Sequence, residues 1–174
     1  SFCLWGPVVG LSALWGPVFL QQKMQSTYEQ TVFISSLIFF GLAISSPIIG
    51  LFSINEKYRQ KLVYLCPLFG FFAALIFVLY PNFTYAQACI LMLLMGACSA
   101  GYEVSYALIR EYFCEARCNL VTALNNMAAI FGVAFFQLLV ALVLKLSDQN
   151  IQFAGSVIVC FYASAFFLSH YILQ

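Results

Sequence analysis

Glu103 is the acidic side chain set deepest in a long apolar run, which makes it the strongest candidate for chemistry in this sequence. A carboxylate surrounded by hydrocarbon costs several kcal/mol, so it needs a cation, a water-filled cavity or a proton. In helical projection Ser99, Glu103, Tyr106 and Arg110 share one face. Arg110 stands about 10 Å further along the axis, and its long side chain can reach part of the way back. Two readings follow. Glu103 is a substrate-facing or proton-carrying carboxylate, or it forms a structural ion pair with Arg110. A second stripe consists of Asn119, Thr122, Asn126 and Gln137, which project within about 40° of one another, while Asn125 points elsewhere. Amides facing lipid are costly, so this stripe meets a water-filled cavity or another helix. In the latter case each contact is worth about 0.6 kcal/mol.

No enzyme constellation accompanies these residues. His170 stands alone near the end of the sequence and reads as an interfacial histidine. There is no Gly-x-Ser-x-Gly with matched His and acid, and no Gly-rich phosphate loop. We therefore expect no enzyme activity and no cofactor. Of the cysteines, Cys3, Cys66, Cys89, Cys98 and Cys160 lie in apolar runs and behave as small apolar residues. Cys114 and Cys118 share a loop without further ligands beside them, so they read as reduced thiols and no metal is expected. A net charge of +1 leaves no basic footprint for nucleic acid.

The elements that must position these side chains are membrane helices. Of 174 residues, 64% are hydrophobic and 7% charged, with a mean hydropathy of +0.97. Soluble domains carry about 25% charged residues, so the solvent for most of this chain is lipid. Hydropathy predicts one bundle over 1–174, with spans at about 2–20, 31–52, 62–80, 85–109, 119–144 and 151–172. The first span repeats Leu-Trp-Gly-Pro-Val from Leu4 and again from Leu14; ten residues is not a whole number of turns, so the copies face different ways. Ser26 with Glu29, or Thr27 with Gln30, predicts a capping box before the second span. Gly41, Ser45, Ser46 and Gly50, and then Ala97, Gly101 and Ser105, are stripes that let neighbouring helices approach. Asn82-Phe83-Thr84 is a sequon of a kind that short patterns produce by chance.

Basic residues set the expected orientation. Lys57, Arg59, Lys61, Arg110 and Arg117 follow the second and fourth spans, against Lys23 and Lys145 after the first and fifth. The richer loops belong in the cytoplasm, and with them both termini. The sequence opens at Ser1 without a basic leader, so no cleaved signal peptide is expected.

Four segments in order resemble a known family. Ala13-Leu14-Trp15-Gly16-Pro17-Val18-Phe19-Leu20 looks like the outer end of helix seven in major facilitator superfamily transporters of the sugar-phosphate-permease-like and phagosomal nutrient transporter-like kinds. Pro47 to Ser53, with Gly50 and then Lys57, Arg59 and Lys61, resembles the superfamily's cytoplasmic gating loop, here between helices eight and nine. Asn55 and Glu56 depart from its Asp and following base, and the second Gly is missing. Gly101 through Glu103, Ser105, Tyr106 and Arg110-Glu111 gives the third match, and Asn126-Met127, Gly132 and Gln137 the fourth.

The resemblance implies the C-terminal six-helix half of such a transporter, an all-α membrane fold of two inverted three-helix repeats. It implies a cavity lined by the first helix of each repeat, here spans one and four, with help from spans two and five; Glu103, Tyr106, Asn126 and Gln137 fall on these spans, and Trp15 and Gln21 near the outer mouth. The implied activity is secondary transport of a small polar solute, coupled to protons, across a plasma membrane such as the bacterial inner membrane. The implied partners are lipid, the solute, and an N-terminal six-helix half or a second copy of the chain. The alternative is a helical membrane protein, or transporter remnant, that does not transport.

Overall fold

Hydrocarbon offers nothing to an unpaired backbone group, so a chain this apolar must close its hydrogen bonds within each segment. A computed structural model, which describes residues 1–172, shows how this is done. The first span comprises α1 (Phe2–Gly10), a π turn (Leu11–Trp15) and α2 (Gly16–Met24). The second and third spans are single helices, α3 (Tyr28–Ser53) and α4 (Glu56–Leu79). The fourth comprises α5 (Tyr85–Ser99), a 3₁₀ turn (Ala100–Glu103) and α6 (Val104–Tyr112). The fifth and sixth are α7 (Glu115–Leu146) and α8 (Ile151–Ile172). The described residues are thus helical with short connections, and six of the helical stretches are long and apolar enough to cross a membrane.

The helices run further than hydropathy predicts. The charged stretch after the second span is helix rather than loop. Asn55 caps α4, its side chain accepting from the Lys57 amide at 3.1 Å, so Lys57, Arg59 and Lys61 lie in the first turns of α4. The expected box at Ser26 or Thr27 does not form. α2 continues to Met24, Gln25 reverses the chain in a left-handed conformation, and Thr27 caps α3 without a side-chain bond. The capping box is at Thr84 and Gln87 instead, each side chain bonding the other's amide, at 3.4 and 3.0 Å.

Both irregular turns have local causes. Pro17 has no N–H, so the carbonyl of Ala13 loses its helical donor. The amide of Gly16 reaches back to the Leu11 carbonyl instead, widening the turn. A Cβ on Gly16 would lie 2.1 Å from that oxygen, which is why glycine stands there. In the fourth span the Ser99 hydroxyl donates to Met95 O at 2.8 Å, a back-bond that loosens the helix just before it tightens to 3₁₀.

Helix pairing is close where glycines permit it. α3 packs chiefly on α5, α1 on α7, and α4 on α8. At the α3–α5 crossing a Cβ on Gly41 would lie 2.1 Å from Leu93 O, and one on Gly96 would lie 2.0 Å from Ile38 O. At the α1–α7 crossing Gly132 faces Phe2 O at 2.4 Å and Gly6 faces Gly132 O at 2.8 Å by the same measure. Gly50 has open space around it, so its place in the small-residue stripe serves no packing. The two Leu-Trp-Gly-Pro-Val copies do face differently: Leu4 and Val8 are buried, Leu14 and Val18 exposed.

Burial sorts the spans into pairs. The first and fourth are the most enclosed, at 56% and 50% of their most apolar stretch. The second and fifth are the least, at 33% and 22%, and the third and sixth both stand at 39%. Outward faces carry side chains such as Phe40, Ile44, Leu51, Ile130 and Leu138, a surface suited to lipid or another helix bundle.

Candidate functional site

The 3₁₀ turn determines what the fourth span presents to each side. A straight helix would put Ser99 and Glu103 on one face. Tightening by about 20° per residue over four residues rotates them apart. Ser99 points inward, fully buried, and its hydroxyl meets the Tyr162 hydroxyl of α8 at 2.7 Å. Glu103, Tyr106 and Arg110 instead open onto a recess of about 550 Å³ between spans two, four and five. Ile49, Gly50 and Ser53 of α3 and Asn126 of α7 complete its wall.

Within this recess the Tyr106 hydroxyl donates to Asn126 Oδ1, tying α6 to α7. Glu103 and Arg110 share the recess without forming the expected ion pair. Arg110 sits at the exposed end of α6, and Glu103 is half-buried at its start. The ion pair among the described residues is Arg59 with Glu111, across the ends of α4 and α6. Arg59 also donates to Ser53 O at 3.2 Å, so it links three spans. Lys57 and Lys61, its neighbours in the predicted loop, are exposed.

Sequence reasoning missed Asn125. Helical projection turned it away from the stripe, yet its Nδ2 donates to Ser105 Oγ at 3.0 Å. Ser105 in turn donates to Tyr102 O at 2.6 Å and shares a hydrogen bond of 2.9 Å with the Ser1 hydroxyl. Adjacent residues Ser105 and Tyr106 straddle α7 and so meet adjacent partners, Asn125 and Asn126. The pairing of two consecutive polar residues on each helix was a signal available in the sequence.

An aromatic partition stands beside the recess. The Tyr102 ring lies 4.6 Å from Trp5 and 6.0 Å from Tyr106. Tyr102 also lines a second, smaller cavity of about 180 Å³ among spans one, three, four and six, so its ring and backbone divide the two spaces.

The other expected site residues lie apart from the recess. Trp15 belongs to the π turn, and its indole N–H is buried with no hydrogen-bond partner among the described residues. Gln21 is exposed on α2. Both lie toward the end of the bundle opposite the Arg59–Glu111 pair. Gln137 is half-buried on α7, about 16 Å along the helix from Asn126. Asn119 is exposed and Thr122 half-buried, and neither lines the recess.

The residues that do converge can bind a polar solute: a carboxylate, a guanidinium, a phenol and an amide around a volume large enough for a small metabolite. Comparison with protein-family models, with curated proteins and with solved structures finds no significant match.

Proposed function

We propose that this chain is one six-helix half of a secondary transporter of the major facilitator type, moving a small polar solute by alternating access. The observation that carries the reading is the placement of the two helix distortions. They fall in the first and fourth spans, the first helix of each set of three. Interrupted helices in corresponding positions of two repeats are the usual mark of a transporter's binding region, and π and 3₁₀ turns within helices accompany hinges.

The pairing of spans supports two repeats. Exchanging spans one, two and three with four, five and six turns the one–five contact into four–two and leaves three–six unchanged. Both are the close pairs of the bundle. Burial follows the same exchange, as the fractions above do. In this reading a second half docks on the faces of spans two and five, and their low coverage supports it. The split of spans one and four adds to this: α1 packs on α7 and α2 on α3, while α5 packs on α3 and α6 on α7.

In this reading the recess around Glu103, Tyr106, Arg110 and Asn126 is this half's share of the substrate site. Glu103 carries the coupled proton, and Tyr106 with Asn126 holds the solute's polar groups. The excess of basic residues at the Arg59 end supports placing that end, and both termini, in the cytoplasm of a plasma membrane.

The test is ligand-dependent thermal stability in lipid nanodiscs against a panel of polar metabolites. At least one solute should raise the melting temperature, and Asn126→Ala should reduce that shift. A panel without effect, or a shift indifferent to Asn126→Ala, would favour a membrane protein that does not transport.

A further inference from the structure

Lys23 is a charged side chain with 7% exposure inside an apolar bundle, and no carboxylate pairs with it among the described residues. Its partners are all at the C-terminal end of α4. The ammonium donates to the carbonyls of Phe77, of Val78 at 2.8 Å and of Tyr80 at 2.9 Å. The rings of Phe77 and Phe83 lie 5.5 and 5.4 Å from it. Three donors meet three acceptors, with aromatic faces closing the remaining sides.

The acceptors are there because the helix ends. The last carbonyls of a helix have no amide partner and carry the negative end of its dipole. Pro81 makes this sharper, since it stands four residues after Phe77 and has no N–H to offer that carbonyl. The Thr84 amide is already taken by the Gln87 side chain at 3.0 Å. Without a cation this end of α4 would leave the buried carbonyls of Phe77 and Val78 unpaired.

Lys23 reaches the site from α2, which the π turn separates from α1. The two half-helices have different neighbours, α1 packing chiefly on α7 and α2 on α3. We propose that the C-terminal end of α4 is a cation-binding site for ammonium groups, that Lys23 is its resident ligand, and that its occupancy docks α2 onto the bundle. The site is a latch: filled by Lys23 it holds α2 down, and vacated it accepts a free alkylammonium. This stands apart from the transport reading, because it concerns the docking of α2 whether or not a solute moves.

Hydrogen exchange of the full chain in lipid nanodiscs tests it. In Lys23→Ala, amides of Gly16–Met24 should exchange about tenfold faster or more, while those of Phe2–Gly10 stay unchanged. Ethylammonium at about 50 mM should restore the protection by filling the carbonyl cage. Tetramethylammonium, with the same charge and no N–H, should not. Faster exchange spread evenly over the first span, no restoration by ethylammonium, or equal restoration by both cations would overturn the proposal. Should Lys23→Ala fail to fold, Phe83→Leu keeps the lysine and removes one ring. It should speed exchange several-fold in α2 alone, and unchanged exchange there would likewise overturn the latch.

Discussion

Lys23 and Glu111 occupy the same place in two half-helices and grip opposite ends of α4. Each is the eighth residue of a nine-residue helix, α2 or α6, that follows an irregular turn. Lys23 holds the carbonyls at the C-terminal end of α4, and Glu111 holds Arg59 near its N-terminal end. The third span is thus a strut clasped at both ends, by a cation where the helix dipole is negative and by an anion where it is positive.

The Arg59–Glu111 clasp should show coupling. Its side chains are 12% and 33% exposed, so the pair lies between the surface and buried regimes. Arg59→Gln and Glu111→Gln should each destabilise the chain, and the double variant should lose less than their sum, by about 0.5–1 kcal/mol. Thermal unfolding in nanodiscs of both single variants and the double variant measures this. Strict additivity would mean the pair contributes nothing beyond its separate contacts.

Glycine substitutions should separate packing from sequence pattern. Gly96→Ala pushes a methyl group onto the Ile38 carbonyl and Gly41→Ala onto that of Leu93, so each should cost about 1–3 kcal/mol. Gly50→Ala meets open space and should fall within about 0.5 kcal/mol of the parent, or stabilise it through helix propensity. Unfolding midpoints of the three variants decide the matter, and a costly Gly50→Ala would show that its neighbourhood is tighter than described.

The two asparagines of α7 should have different phenotypes. Asn126 lines the recess and accepts from Tyr106, so Asn126→Ala should weaken solute-induced stabilisation and also lower the unliganded stability by about 1 kcal/mol. Asn125 secures Ser105, so Asn125→Ala should lower the unliganded stability by about 1 kcal/mol with little change in the ligand shift. Equal ligand effects would dissolve the distinction.

Much of this arrangement was legible in the residues, and the misses share a physical origin. The spans were readable because hydropathy integrates over about twenty residues and tolerates local error. Glu103 and Tyr106 were readable as one face because most of their separation lies beyond the 3₁₀ turn. Ser99 was misplaced with them because a projection assumes a uniform turn, and its back-bond to Met95 precedes a change of pitch. Lys23 read as a loop charge, since its partners are backbone carbonyls more than fifty residues away and have no sequence signature. Arg59 read as loop for a related reason: hydropathy ends a span at the first charge, whereas the helix of α4 begins at Glu56, capped by Asn55.

Proton-driven uptake tests the transport account most directly. Vesicles holding the complete two-half assembly, with a pH gradient imposed across them, would be supplied from outside with the solute that stabilises the protein. Uptake should follow the gradient, and Glu103→Gln should remove that acceleration, by about tenfold or more, while solute binding persists. Uptake that is unchanged in Glu103→Gln, with the same dependence on pH, would contradict the account.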